Sequence, residues 1–409
     1  MNLLYISGSR IPSEKADVIN QIKMCNSFVK HGLRVKLLYP FRIQTPKMKG
    51  VKDIWSFYGV EKNFEIIKLP SLDLVFLDRI FPKLGWLFSS IQNFSYAICA
   101  FFFVFFQRLS ADTILYSSDI FTTFLLLLFK GFVKHRMIYE AHRPARIFPI
   151  YLMRRLDVLV VLNQGLKEWY IRKGMPSEKV LVAQNGVDLE KFDIGVDKQE
   201  ARKSLNILTD KKIIGYVGRL QGFGADKGIT ELIEAVGMIR QGGKDVLMYF
   251  VGSTRETAQK YINNAIGLNG EEDCLVFVGF IPHKDVPIYL KSFDVVVAPF
   301  SRTEYYSCYA SAHKIFEYMS SKRPIVATDL PATREILGEN GENAIFVEPG
   351  NPRALAEGIG RVLEDEELAR RISTQAFEDI KNFTWDKRAV RVLEYINSGK
   401  DKMMTKTTV

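Results

Sequence analysis

Three short stretches of this chain combine residue types and spacings that chemistry on an anionic substrate needs. In the first, Gly215-Tyr216-Val217-Gly218-Arg219-Leu220 closes an apolar run, and Lys227-Gly228 opens a segment whose apolar positions Ile229, Leu232, Ile233, Val236 and Ile239 follow helical spacing. A strand end, a glycine-containing loop and a helix N-terminus present backbone amides to anionic oxygen. Arg219 and Lys227 add two full charges to the partial charge of that terminus. In the second, Ser311-Ala312-His313-Lys314-Ile315-Phe316-Glu317, His313, Lys314 and Glu317 share one helix face. A carboxylate there can accept from vicinal hydroxyls such as those of a ribose. On spacing alone, however, Lys314 and Glu317 read as an exposed ion pair worth a few tenths of a kcal/mol. The third is Tyr139-Glu140-Ala141-His142-Arg143-Pro144, where His142 and Arg143 follow an expected strand. A lone histidine in such a place is more often structural than functional. The opening loop, Ser7 to Lys15, follows the first strand, and Gly8 allows its backbone to approach a ligand closely.

Parallel sheets supply the positions these residues need. Apolar runs at 2–6, 34–39, 113–116, 136–140, 157–162 and 179–183 alternate with amphipathic segments such as 16–32 and 164–173. The second half repeats the rhythm, with strands at 212–217, 246–251, 274–278, 294–298, 324–328 and 344–347. Helical patterns there cover 228–240, 254–267, 284–292, 311–321 and 352–380. Strands rich in Val, Ile and Leu, separated by helix-length stretches, predict α/β domains with parallel sheets covered on both faces. Two such sets predict two doubly wound, Rossmann-like domains, joined where polar and turn residues collect between Asn185 and Asp210.

Composition narrows the classes. The 409 residues are 47% hydrophobic and 25% charged, a globular balance that argues against disorder. Four dispersed cysteines, with no CxxC pair, argue against a disulfide scaffold or a zinc site and fit a reducing, cytoplasmic setting. The apolar part of the start is short for a signal peptide and reads as a first strand. No Asp-x-Asp triplet occurs, so a metal clamp of that kind is not expected. The opening loop lacks GxGxxG, which counts against a dinucleotide oxidoreductase, and no GxSxG or GxxxxGK[ST] motif is present. Residues 1–200 carry 28 Lys and Arg against 18 Asp and Glu, which accounts for the whole net charge of +10. That asymmetry suggests an anionic partner for the first half: a phosphorylated substrate or an acidic lipid surface. The basic residues are dispersed rather than interleaved with stacking aromatics, so nucleic acid is not expected as a partner.

Residues 84–107 carry no charge over 24 positions and include Phe101-Phe102-Phe103-Val104-Phe105-Phe106. Length permits a membrane span. Ser89, Ser90, Gln92, Asn93 and Ser95 interrupt the apolar run, however, and the segment reads as a buried helix of the first domain with one side available to a membrane surface.

Taken together, the order of strand, "GRL", "KG" and amphipathic helix, then "FVGFIP" and "HKIFEYMSSKRPIVATDLPATREIL", resembles the retaining glycosyltransferases of family 4, which have the GT-B fold. "YEAH" is similar to the histidine motif of their first domain, "QNGVDLEKF" to their interdomain segment, and Phe383-Thr384-Trp385-Asp386 to the start of their terminal helix. The resemblance implies two Rossmann-like domains facing across a cleft and closing around a nucleotide-diphosphate sugar. Residues 1–190 would form the acceptor-binding domain, with a C-terminal helix 385–400 packing back on it, and 191–384 the donor domain. By position, Arg219 and Lys227 would hold the donor diphosphate, Glu317 the ribose, and Phe280 and Ile281 the base. His142 would touch the sugar near the reacting carbon, so that His142, Arg219 and Lys227 carry catalysis. Gly8 and Lys314 complete the implied donor-binding set. Family members often carry a Glu eight positions before the one matched by Glu317. Here that position is Tyr309, and Glu304 is the nearest acid before it. The expected activity is metal- and cofactor-independent transfer of a sugar to a lipid-linked or saccharide acceptor in cell-envelope polysaccharide or glycolipid assembly, by a cytoplasmic protein peripheral to the inner membrane face. A nucleotide-sugar epimerase of the same fold and a non-catalytic sugar-nucleotide-binding relative are the alternatives.

Overall fold

A computed structural model describes residues 1–208, 210–222, 225–265 and 272–404. The end of the helix expected over 254–267 lies outside these residues, as does position 209 in the expected joint. The chain divides into two compact units: Met1–Gln184 together with the chain from Trp385 onward, and Asn185–Thr384. The division at 184/185 falls six residues before the sequence-based boundary at 190, because Asn185 already bonds into the second unit, its side chain donating to the Ser311 carbonyl at 2.7 Å.

In the first unit, seven strands form one parallel sheet: β1 (Asn2–Ile6), β2 (Arg34–Pro40), β3 (Glu65–Leu69), β4 (Thr113–Ser117), β5 (Arg136–Ala141), β6 (Val158–Val161) and β7 (Val180–Val182). Their spatial order is β3-β2-β1-β4-β5-β6-β7. β1 pairs with β2 on one side and β4 on the other, Leu4 lying opposite both Lys36 and Leu115. The chain therefore reverses its winding at β1/β4, and loops leaving the carboxyl ends there are where an open α/β sheet binds ligands. Leu3, Leu4, Tyr5 and Ile6 are all buried, as a strand covered on both faces requires. β3 carries no apolar run longer than Ile66-Ile67 and went unread in the sequence.

Helices α1 (Ala16–Lys30), α2 (Gly85–Phe106) and α3 (Ile120–Leu128) flank this sheet. The C-terminal helix Trp385–Met404 belongs to the same unit. Its Trp385, Ala389, Val392 and Ile396, spaced along one face, join the core cluster of α1 residues Val18, Ile22 and Cys25. Burying side chains of this size stabilises by about 1.5–3 kcal/mol each, an upper estimate. α2 is covered on one face only, through Phe88, Gln92, Tyr96, Ala97, Ala100 and Val104.

In the second unit, six parallel strands repeat the plan: β8 (Lys212–Val217), β11 (Val246–Val251), β12 (Leu275–Gly279), β13 (Val295–Ala298), β14 (Ile325–Thr328) and β15 (Ile345–Val347), in the order β12-β11-β8-β13-β14-β15. A small antiparallel ribbon, β9 (Gln221–Gly222) with β10 (Ala225–Asp226), interrupts the loop after β8. That loop leads to α4 (Ile229–Gln241), and the loop after β13 leads to α5 (His313–Ser320). The helical pattern over 352–380 resolves into Pro352–Glu364 and Glu366–Ile380. Asp365 separates them and starts the second, its carboxylate accepting from the Leu368 amide at 2.9 Å.

Candidate functional site

The switch point of the second sheet lies between β8 and β13, where Val295 pairs with Ile214. The two loops leaving it carry the first two chemical stretches of the sequence. At the end of β8, Gly218 has φ +120° and bonds the Val251 carbonyl at 2.8 Å. Gly228 starts α4 at φ +73°, and a Cβ there would lie 1.7 Å from the Pro299 carbonyl oxygen, so only glycine allows the loop and β13 to approach this closely.

Three cations converge on this turn. Lys227 Nζ donates to the Arg219 carbonyl at 3.0 Å, and the Tyr216 hydroxyl donates to the same oxygen at 2.9 Å. Burial, reinforced by Arg219, pushes the Lys227 ammonium down to about 8. Lys314 is buried, its Nζ 3.4 Å from the centroid of the Tyr216 ring and without a hydrogen-bond partner. A Cβ on Gly218 would sit 3.5 Å from that Nζ. Burial and the neighbouring Lys227 hold the Lys314 ammonium well below its ordinary value, against the opposing pull of Glu317. Sequence spacing suggests an exposed Lys314–Glu317 pair. The structure corrects this: Lys314 turns inward over Tyr216, and Glu317 binds another partner. Among the described residues no carboxylate lies within ion-pair distance of Arg219, Lys227 or Lys314. Lys314 is buried, Lys227 half-buried and Arg219 exposed. Holding the two ammonium groups of Lys227 and Lys314 together out of water is costly unless an anion joins them.

Glu317 accepts from His283 Nε2 at 2.8 Å. Burial raises its carboxyl, but the His283 bond and the charges of His283, His313 and Lys314 outweigh that and leave it lowered. His283 follows Phe280 and Ile281 in the loop after β12 and lies 5.4 Å, ring to ring, from Phe192. That loop is thereby brought to α5, with Phe280 half exposed and Ile281 packed against the core. His283 was not singled out in the sequence. Its partner lies 34 positions away, and no spacing rule signals such a pair.

The residues preceding α5 form a π turn, Tyr305–Tyr309, after which Ala310 returns to extended backbone. Such turns are often found at functional sites. The Tyr309 hydroxyl donates to Glu304 Oε1 at 2.9 Å, which ties the acid nearest before α5 to position 309.

In the first unit, Gly8 packs on Asp119, where a Cβ would lie 2.6 Å from Oδ1, while Asp119 starts α3 by accepting from Thr122. His142 and Glu140 lie at the end of β5, His142 Nε2 bonding Glu140 Oε1 at 2.8 Å. Glu140 is fully buried and also accepts from Asn20 at 3.1 Å and from the Tyr116 hydroxyl. Arg388 of the C-terminal helix forms an ion pair with it at 3.1 Å. Burial alone would push the Glu140 carboxyl up, but Arg388, His142 and Tyr116 hold it well below the usual carboxylate range. The Arg388–Glu140–His142 chain was likewise missed in the sequence, since 248 residues separate its first two members. Gly8 and His142 thus sit on different loops of one sheet edge, each with its own partner.

The chain is similar to known glycosyltransferases in sequence and to solved GT-B structures in fold. Residues 197–379 match the family model for glycosyl transferases group 1. Alpha-D-kanosaminyltransferase of Streptomyces kanamyceticus is 28% identical over 256 residues, 59% of this chain and 63% of that one. The capsular polysaccharide biosynthesis glycosyltransferase CapM of Staphylococcus aureus is 28% identical over 259 residues, again 59% and 63%. The chain thus spans less than two thirds of the length of these relatives. Among solved structures, Anabaena Alr3699/HepE in complex with UDP superposes with a TM-score of 0.70 at 18% identity, covering 97% of this chain and 100% of that one. At that identity the likeness concerns the fold: two Rossmann-like parallel-sheet domains of the GT-B class.

Proposed function

We propose that this protein is a retaining glycosyltransferase of family 4, moving a sugar from a nucleotide-diphosphate donor to an acceptor hydroxyl. The observation that carries the reading is the trio Arg219, Lys227 and Lys314, gathered at Gly218 and the start of α4, with no carboxylate within ion-pair distance among the described residues. Breaking the bond between sugar and diphosphate leaves negative charge on the departing phosphate. Preplaced cations stabilise that charge without reorganising as it develops. Glu317, held ionised by His283, is assigned the donor ribose, and the Phe280–Ile281 loop the base. His142, oriented by Glu140, is assigned the donor sugar near the reacting carbon, and the Gly8 backbone a donor contact. Glu304, held by Tyr309, is assigned the sugar contact for which the family ordinarily uses the residue at 309. Retention requires no side-chain nucleophile if the leaving phosphate accepts the proton of the incoming hydroxyl on the same face. This scheme needs neither metal nor cofactor. The name of CapM, a capsular polysaccharide biosynthesis glycosyltransferase, supports polysaccharide assembly as the setting; the proposal adds a lipid-linked or saccharide acceptor and a cytoplasmic protein at the inner membrane face.

Thermal-shift titration with UDP-, GDP- and ADP-sugars tests the donor assignment. One base class should stabilise the protein, and Arg219→Ala and Lys227→Ala should each abolish that shift and most turnover. Unchanged shifts in both variants would refute the site. Donor incubated alone must remain intact and unepimerised; conversion without acceptor would make the protein an epimerase.

A further inference from the structure

α2 carries a second apolar stripe opposite its buried face. Leu87, Phe94, Ile98, Phe102 and Phe105 recur at intervals of three, four and seven, and all are exposed. Ring contacts make the patch continuous: Phe101 meets Phe105 at 5.9 Å and Phe129, beyond α3, at 5.0 Å, and Phe106 stacks on Phe102 at 5.7 Å. Phe132 extends it and is 74% exposed. An apolar surface this continuous on a folded unit marks an interaction site.

The charges around it select the partner. No Asp or Glu occurs between Asp78 and Asp112, or between Asp119 and Glu140. Exposed Lys83 and Arg108 bracket α2, and exposed Lys134 follows Phe132. A second copy of the chain paired along this stripe, parallel or antiparallel, would set cations against cations at both ends. A bilayer carrying anionic headgroups satisfies rings and cations together. We propose that this face of α2, with Phe129 and Phe132, lies in the interface of an anionic lipid membrane. It lies along the surface rather than spanning. Gln92 and Tyr96 occupy the covered face, and a span would strip that face from the core and set these polar groups in hydrocarbon. The inference deepens the inner-face part of the proposed function and requires none of the transfer chemistry.

The test is flotation of the full chain with phosphatidylglycerol-containing and pure phosphatidylcholine vesicles, without donor or acceptor. Binding is expected to the anionic vesicles and to fall steeply with salt. Lys83→Gln/Arg108→Gln/Lys134→Gln should lower it about a hundredfold at low salt, at roughly fivefold per charge. Phe102→Glu/Phe105→Glu, at exposed positions, should abolish it. Brominated lipids should quench fluorescence in the wild type and much less in Trp86→Phe, which localises the contact to the start of α2. Three results overturn the proposal: no vesicle binding, binding with equal quenching in both proteins, or a dimer in sedimentation that Phe102→Glu dissociates while vesicles bind nothing. A protein that floats but transfers no sugar would keep this surface and lose the proposed function.

Discussion

Arg388 in the first unit and Lys314 in the second are both buried cations, and their surroundings differ in one respect. Arg388 meets a carboxylate, Glu140, and its Nε and NH1 reach the Ala183 carbonyl and the Asn20 side chain at 3.2 and 3.3 Å. Lys314 meets an aromatic face, a second ammonium at Lys227 and no hydrogen-bond acceptor. The first arrangement is electrostatically complete without ligand and holds the C-terminal helix to the sheet. The second is incomplete, and a bound anion is what would complete it. Desolvation costs both cations alike; the partner decides whether the result is structure or a binding site.

The largest expected effect follows from breaking the completed pair. Arg388→Met leaves Glu140 buried without its guanidinium partner, at a cost of about 3–5 kcal/mol. Trp55, Trp86, Trp169 and Trp385, all the tryptophans of the chain, lie in the first unit. Urea unfolding followed by tryptophan fluorescence therefore reads that unit. A loss under about 1 kcal/mol would show that the pair is not what holds the helix.

Removing the incomplete cation should do the opposite to stability. Lys314→Met is expected to leave the ligand-free protein as stable as the wild type or more so. It should weaken the best-binding member of UDP, GDP and ADP by about 10- to 100-fold, the value of a charged hydrogen bond. Destabilisation without loss of affinity would erase the contrast between the two cations.

The pH dependence sharpens it further. Lys227 is lowered to about 8 in the folded protein, against an ordinary value of 10.5. Between these values the unfolded chain holds a proton that the folded one has released, so stability of the ligand-free protein should rise with pH across that window. An anion prefers the charged form, so nucleotide-diphosphate affinity should fall above pH 8, by up to about tenfold per unit for one proton. Calorimetry at pH 9 in buffers of different ionisation enthalpy should detect proton uptake on binding. Lys227→Arg should reduce it to the share taken up by Lys314, and uptake undiminished in that variant would assign the proton elsewhere.

The smallest effect concerns the π turn. Tyr309→Phe removes one hydrogen bond to Glu304 and should cost about 0.5–1.5 kcal/mol in thermal unfolding. If Glu304 contacts the sugar, the donor KM should rise several-fold with kcat less affected, and Glu304→Gln should reproduce that pattern. A KM unchanged in both would leave the turn a purely structural feature.

Much of this was legible before the structure. Strands such as Leu3-Leu4-Tyr5-Ile6 and Val295-Val296-Val297 are apolar on both faces, and only a covered parallel sheet buries them so. Gly218, Arg219, Lys227 and Gly228 stood out because glycine and charge at a strand-to-helix junction are local signals. β3 escaped because Glu65 and Lys68 leave too short an apolar run, and the break at Asp365 because capping aspartates also occur on exposed helix faces.

The sequence by itself determined where the strands and helices lie and which loops carry charge, since period, glycine and side-chain type act over a few residues. Only the tertiary structure decided which charges are neutralised. Glu140 with Arg388, His283 with Glu317, and Lys314 over Tyr216 are meetings across tens to hundreds of residues. The balance between burial and a partner exists only once the sheets have brought both to one place.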